Sequence, residues 1–181
     1  MGYSEETITV PLAGSDWTLD QPKIYMVLGS HRSGTSFVAN AIRDQGIYFG
    51  TGGWRAENGR FHQINKAIIA EAGGNWLNPP NEGALLAAGL LKGAEIEAVV
   101  QDFNNRANLW GWKDPRACLT ARAWLDFMTG DVYLISVFRR PEQVADSLMR
   151  MGQIGSKKHG VNLAREYARR TVNAIKEFMG I

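Results

Sequence analysis

A polar loop bounded by two glycines, Gly29 and Gly34, has residue types and a spacing that suit anion binding. An apolar segment precedes the loop, and a segment with helical periodicity follows it. Glycine lets backbone N–H groups approach a ligand closely, and a helix N-terminus carries a partial positive charge. The hydroxyls of Thr35 and Ser36 are expected to cap that helix. We predict a phosphate- or sulfate-binding loop whose contacts come from Gly29, His31, Arg32, Ser33, Gly34, Thr35 and Ser36.

The position of the cation distinguishes this loop from an ATP-binding loop. Nucleotide-binding P-loops carry a lysine directly after their last glycine. Thr35 occupies that position here, and the cation is Arg32, inside the loop. The run Arg-Ser-Gly-Thr-Ser at residues 32–36 resembles the 5′-phosphosulfate loop of sulfotransferases. That resemblance implies that Arg32 helps to grip the 5′-phosphosulfate of 3′-phosphoadenosine 5′-phosphosulfate (PAPS).

A second motif follows about a hundred residues later. A near-continuous apolar run at 132–138 reads as a buried strand and ends at Arg139. Pro141 suits the first position of a following helix, and Ser147 lies eight residues after Arg139. In sulfotransferases, an arginine and a serine at this spacing hold the 3′-phosphate of PAPS. The resemblance therefore implies that Arg139 and Ser147 bind the same donor.

A third motif lies between the other two. Lys113, Asp114 and Pro115 resemble the Lys-Asp-Pro segment of tyrosylprotein and related bacterial sulfotransferases. The resemblance implies that Lys113 points toward the transferring sulfuryl group, and Asp114 is expected to fix the turn. Together the motifs span roughly residues 23–150. They imply metal-free transfer of a sulfuryl group from PAPS to a hydroxyl or amine, with adenosine 3′,5′-bisphosphate (PAP) as the product.

Two residues are candidates for the general base that takes the acceptor proton. Glu57 follows the first motif at about the distance at which tyrosylprotein sulfotransferases place their catalytic glutamate. His62 lies where bacterial relatives carry an acidic residue, and an imidazole can act as a base near neutral pH. We rank Glu57 slightly above His62 and keep both, beside Lys113 and Arg32, as candidate catalytic residues.

The elements that must position these residues form an α/β pattern. Strands are predicted at 23–28 and 132–138, and helices at 35–45, 61–72, 82–104, 120–128, 141–151 and 162–179. The long helix at 82–104 has a predicted weak point at Gly89 or Gly93, because glycine disfavours a helix interior. Strands separated by long helical segments indicate a parallel sheet, and ligands bind at the carboxyl ends of its strands. We therefore expect a three-layer P-loop-like fold with a central parallel sheet flanked by helices. Residues 1–22 read as an N-terminal arm and 23–181 as one domain, shorter at its C-terminus than sulfotransferases usually are.

Composition narrows the class of protein. A net charge of +2 argues against broad nucleic-acid binding, although residues 139–181 carry an excess of cations that suits a charged nucleotide. No apolar run is long enough to span a membrane, and the N-terminus lacks a signal pattern, so a cytoplasmic protein is expected. Cys118 is the single cysteine and is expected to pack as a small apolar side chain.

Two other interpretations remain open from the sequence. The first is a non-catalytic module that binds PAP or PAPS on the same scaffold. The second is a P-loop nucleotide kinase or NTPase. The missing lysine after Gly34 and the presence of Arg139, where a Walker-B acid would follow the strand, both argue against the second alternative.

Overall fold

The computed structural model describes residues 21–53 and 55–181, so the predicted arm at 1–22 lies outside the described residues except for its last two positions. The described chain forms three strands and seven helices. In chain order they are β1 (Lys23–Leu28), α1 (Thr35–Asp44), α2 (Gly59–Glu71), α3 (Glu82–Leu91), α4 (Gly93–Arg106), β2 (Leu109–Lys113), α5 (Ala117–Leu125), β3 (Asp131–Ser136), α6 (Pro141–Arg150) and α7 (Lys157–Met179).

The three strands form a parallel sheet in the order β2-β1-β3. In the register, Val27 lies opposite Lys113 and Leu28 lies opposite Ser136, so the strands end at the same edge. The loops that follow them carry the three motifs. The expectation of an α/β protein with a parallel sheet is confirmed, and the sheet brings the motif loops to its carboxyl edge.

Strand β1 is buried on both faces because its alternate side chains enter different hydrophobic clusters. Ile24, Met26 and Leu28 join the large cluster that takes residues from α2 to α7. Val27 joins a smaller cluster in which Ala39 of α1 is buried. A strand covered on both sides is expected to be almost continuously apolar, which is why the sequence pattern locates β1 correctly.

Strand β2 has no counterpart among the predicted strands, because the sequence pattern around Lys113 indicates only a turn. Trp110 and Trp112 are both completely buried. Gly111 lies between them, where a Cβ atom would come within 2.6 Å of the Tyr25 carbonyl oxygen and 3.0 Å of the Phe49 ring. The strand signal was the pair of tryptophans, and the glycine between them obscured it.

The helix predicted at 82–104 is two elements, and the break lies at one of its two predicted weak points, since α3 ends at Leu91 and α4 begins at Gly93. A Cβ atom on Gly93 would come within 2.7 Å of the Phe127 ring, so the break allows close packing against the segment after α5. The helices predicted from 61, 120 and 162 begin earlier, at Gly59, Ala117 and Lys157. For α2 the reason is local, because the Asn58 side chain accepts a hydrogen bond from the Arg60 N–H.

Candidate functional site

The loop between β1 and α1 is tightly folded around Gly29. A Cβ atom at this position would lie 2.6 Å from the Val137 carbonyl oxygen and 2.8 Å from the Ser33 hydroxyl. Ser33 closes the loop by donating its hydroxyl to the Ser30 carbonyl at 2.8 Å. Arg32 adopts a left-handed backbone with φ of 66°. Such a conformation is uncommon for arginine and holds its side chain at a fixed angle to the loop.

Gly34 is the N-cap of α1, with φ of 105° and no side-chain capping bond. The prediction that Thr35 and Ser36 cap the helix is therefore wrong. They occupy the first two helical positions, and the Ser36 hydroxyl instead accepts a hydrogen bond from Lys113 Nζ at 3.0 Å. No side chain of the loop caps α1, so the first N–H groups of this helix are free of a capping side chain and can donate hydrogen bonds to an anion.

Lys113 is the residue at which three separate segments meet. Its Nζ lies 2.7 Å from Glu57 Oε1 and 3.0 Å from the Ser36 hydroxyl. The Lys113 side chain is only 1% exposed, whereas Glu57 retains 23%. Burial lowers the pKa of the Lys113 ammonium from its ordinary value, and the hydrogen bond and charge of Glu57 oppose that shift. The result is a buried cation with one carboxylate partner, next to the N-terminus of α1.

Asp114 holds the turn after β2, as its position suggested. Its Oδ1 accepts hydrogen bonds from the backbone N–H and the guanidinium of Arg116, at 2.9 and 3.1 Å. Its Oδ2 accepts a hydrogen bond from Asn65 Nδ2 at 3.2 Å. His62 lies at the rim of this group, with Nδ1 at 3.4 Å from Arg116 and 3.7 Å from Asp114. His62 therefore faces Asp114 and Arg116, which already form an ion pair with each other, while Glu57 contacts Lys113 directly.

A second group connects the loop to α6. Arg32 Nε donates to the buried Ser147 hydroxyl at 3.0 Å. Arg139 contacts the same loop, where its Nη1 donates a hydrogen bond to the Arg32 carbonyl at 3.1 Å. Two guanidinium groups and one hydroxyl from motifs more than a hundred residues apart thus converge on one side of the loop. An arginine pair of this kind suits a phosphate, which can accept several charge-assisted hydrogen bonds.

His31 lies against an aromatic wall. Its ring centroid is 4.3 Å from that of Trp76 and 5.8 Å from that of Tyr167, and the Tyr167 hydroxyl donates to the Trp76 carbonyl at 2.9 Å. Burial lowers the pKa of His31 to about 3, and the charges of Arg116 and Lys113 act in the same direction. His31 is therefore neutral at physiological pH, which makes it a positioning group and not a source of positive charge.

Cys118 packs beneath the loop, as expected for a small buried side chain. Its Sγ accepts a hydrogen bond from the Gly29 N–H at 3.0 Å. Burial raises the pKa of the thiol to about 11, so Cys118 is a neutral thiol that supports the loop. This buried environment does not favour a thiolate, so Cys118 is not a candidate nucleophile.

The fold brings the predicted site residues into two adjoining groups. Lys113, Glu57 and Ser36 form one, and Arg32, Arg139 and Ser147 form the other. Sequence reasoning did not assign three further residues. They are Asn65, which ties Asp114 to α5, Trp76, which packs on His31, and Phe37, which is 79% exposed in the first turn of α1. Of these, only Trp76 had a sequence signal, since it is one of several tryptophans that could line an aromatic or sugar-binding cleft. Phe37 reads from the sequence only as the start of the apolar-periodic helix.

Comparison with known proteins gives no relative for this chain: no family model, curated protein or solved structure matches it. Within the described residues, no group of three or more His, Cys, Asp or Glu side chains is arranged to hold a metal ion. Across the same part of the chain, every helix is too short or too polar to cross a membrane.

Proposed function

We propose that this chain is a PAPS-dependent sulfotransferase that moves a sulfuryl group to a hydroxyl or amine acceptor. The observation that supports this most strongly is the contact of Lys113 with both Ser36 and Glu57, at 3.0 and 2.7 Å. It places a buried cation between the phosphate-loop helix and a carboxylate. Such an arrangement suits a reaction in which negative charge develops on a bridging oxygen while the acceptor loses a proton.

The donor would lie along the carboxyl edge of the sheet, in a fold of the three-layer P-loop type. The loop N–H groups and Thr35 would hold the 5′-phosphosulfate, with Arg32 beside them. Arg139 and Ser147 would hold the 3′-phosphate next to Arg32, because these three residues already contact one another. The exposed ring of Phe37 provides a surface on which an adenine base can stack.

The acceptor would approach from the side of Glu57. Of the two candidate bases, Glu57 is the one in direct contact with Lys113, which would neutralise the departing bisphosphate. His62 instead faces Arg116 and Asp114. A base must lie within reach of the acceptor when the acceptor is next to the sulfuryl group. Glu57 lies beside the cation expected near that group, and we therefore assign proton abstraction to Glu57. The reaction has no step that calls for a metal ion.

The alternatives differ from this proposal in measurable ways. A non-catalytic PAP-binding module would bind the donor without turnover. A kinase or NTPase would prefer Mg-ATP. The two cations Arg32 and Arg139 favour a nucleotide with phosphates at both the 3′ and the 5′ position of its ribose over a nucleotide with a linear 5′-triphosphate. We place the activity in the cytoplasm, where a single free thiol stays reduced.

A turnover assay tests the proposal. The purified chain is incubated with PAPS and a panel of phenols, amines and sugars, and release of PAP is measured. We expect release that depends on an acceptor, that falls by about a hundredfold or more in Glu57→Gln, and that persists in His62→Gln. No release with every acceptor, despite tight PAP binding, would favour the non-catalytic module. Release at the same rate without an acceptor would show hydrolysis of PAPS and would contradict transfer to a hydroxyl or amine.

A further inference from the structure

Strand β3 lies at an open edge of the sheet. Among the described residues it pairs with β1 alone, on one side. None of the residues of β3 is buried, whereas four of the five residues of β2 are. The opposite edge of the sheet is covered by Tyr48, whose N–H donates to the Leu109 carbonyl at 3.0 Å and whose carbonyl accepts from the Gly111 N–H at 2.9 Å. An uncovered edge strand offers its N–H and C=O groups to a further strand.

The backbone groups that β3 offers belong to alternate residues. The Asp131 N–H faces β1 and donates to the carbonyl of the residue before that strand at 2.9 Å. Because successive residues of a strand point their backbone groups to opposite sides, those of Val132, Leu134 and Ser136 point away from β1. The side chains of Val132 and Leu134 pack against the larger hydrophobic cluster and stay partly exposed. A partner strand would bond to these three residues and extend the same apolar face.

The sequence before β1 contains a segment with the properties of such a strand. Residues 7–12 read Thr-Ile-Thr-Val-Pro-Leu, a run rich in β-branched residues whose apolar side chains alternate at Ile8, Val10 and Leu12. Pro11 has no N–H, so it suits an edge strand only at a position that points away from the partner. In that arrangement the three apolar residues point their backbone groups toward β3. Their side chains then share the face of the β3 residues they bond to, since opposite residues of an antiparallel pair lie on one face.

The connection to β1 determines the direction of this segment. Residues 13–21 join it to Pro22, which lies at the end of the sheet where β3 begins, since the Pro22 carbonyl accepts the Asp131 N–H. A strand antiparallel to β3 ends at the same level. The connection must then cross two strand spacings, about 10 Å, and its residues can span roughly 30 Å. The register that centres the segment on β3 places Val10 opposite Leu134.

We propose that residues 7–12 form a fourth strand, antiparallel to β3, at this open edge. In the centred register the acids Glu5 and Glu6 lie at the level of Arg139 and Arg140, so the charges beyond the strand pair are complementary. A second copy of β3 would compete for the same edge. The tethered segment has the advantage, because its effective concentration is of the order of millimolar. The pairing does not depend on sulfuryl transfer.

NMR on the full chain tests the pairing in two ways. Thr9 and Ile135 would be a non-hydrogen-bonded antiparallel pair, with their Cα atoms about 4.5 Å apart, and we expect a nuclear Overhauser contact between their Hα atoms. The amides of Val132, Leu134 and Ser136 should be protected from hydrogen exchange, because each donates to a carbonyl of the added strand.

Two proline variants of the segment form a matched pair. Val10→Pro removes an N–H that faces β3 and should speed exchange of the Leu134 amide by about tenfold or more, while the Tyr133 amide, which faces β1, keeps its rate. Thr9→Pro changes a position that points away from β3, as Pro11 does, and should leave both rates unchanged. Equal exchange of the Leu134 amide in the two variants, or no Hα contact between Thr9 and β3, would overturn the proposal. Protection of Leu134 that rises with protein concentration would also overturn it, because it would show a second copy at the edge.

Discussion

Replacement of Glu57 by glutamine should destabilise the protein more than removal of its partner Lys113. The two side chains differ in exposure, 1% for Lys113 and 23% for Glu57. Glu57→Gln leaves a buried ammonium with only the Ser36 hydroxyl and an amide. We expect a loss of about 3 kcal/mol in the free energy of unfolding, the lower end for a broken buried pair, because Glu57 keeps some contact with solvent.

Replacement of Lys113 should cost less stability than replacement of Glu57. Lys113→Met fills the same buried volume with an apolar side chain and leaves a carboxylate that water can reach. We expect a loss of about 1 kcal/mol, the value of one modest hydrogen-bonded contact. The double variant should resemble Lys113→Met alone, so the coupling between the two positions should be about 3 kcal/mol.

Urea unfolding at neutral pH measures the free energy of unfolding of the unmodified chain, the two single variants and the double variant, which together form a double-mutant cycle. The pH dependence provides a second readout. Burial holds the pKa of folded Lys113 below its ordinary value of 10.5, so the unfolded chain binds more protons in the window beneath that value and stability rises with pH there. Glu57 opposes that lowering, so its replacement lowers the pKa of folded Lys113 further and makes stability rise with pH over a wider window. The loss in Glu57→Gln should therefore shrink as the pH rises toward 10.5. Equal losses in the two single variants, or additivity in the double variant, would refute the reasoning.

Three further predictions concern the loop. Gly29→Ala should abolish nucleotide binding and lower stability, because the new Cβ atom would lie 2.6 Å from the Val137 carbonyl oxygen; titration calorimetry and urea unfolding measure both effects. Ser147→Ala removes the acceptor of Arg32 Nε and should weaken PAP binding by about tenfold. His31→Gln should flatten the loss of stability on acidification, because the pKa of His31 falls from 6.5 to about 3 on folding. The unfolded chain binds the extra proton in that window, so His31 contributes up to about 1.4 kcal/mol of lost stability per pH unit as the pH drops through it.

Matched controls separate these effects from general damage. Gly59→Ala adds a methyl group where nothing lies within 4 Å, and it should leave nucleotide binding and stability unchanged or slightly improved. Normal PAP binding in Gly29→Ala, full affinity in Ser147→Ala, or an unchanged acid slope in His31→Gln would each contradict its prediction.

The parts of the fold that follow a local rule were predictable. Strand β1 and the loop after it were located from an apolar run and two glycines, and α6 began at Pro141 as expected. All residues of the two groups were candidates from the sequence, but the motifs fix type and place only for Ser36, Arg32, Lys113, Arg139 and Ser147. The sequence left Glu57 and His62 open as alternatives.

The remainder depends on packing that no local pattern encodes. Asn65 lies on α2, yet its side chain connects Asp114 with Thr120 and Trp124 of α5. Its polar type predicts solvent exposure, but it is completely buried. Partners distant in sequence decide these features, so propensity and periodicity cannot reveal them.

The central claim is that the carboxyl edge of the sheet binds a 3′-phosphorylated adenine nucleotide, and calorimetric titration with PAP tests it most directly. AMP and Mg-ATP serve as comparison ligands, Arg139→Ala as the site variant, and Arg165→Ala as a surface arginine control. The account predicts that PAP binds much more tightly than AMP or Mg-ATP, that Arg139→Ala weakens this binding by about tenfold or more, and that Arg165→Ala leaves it unchanged. Mg-ATP binding as tight as PAP, or full PAP affinity in Arg139→Ala, would contradict it.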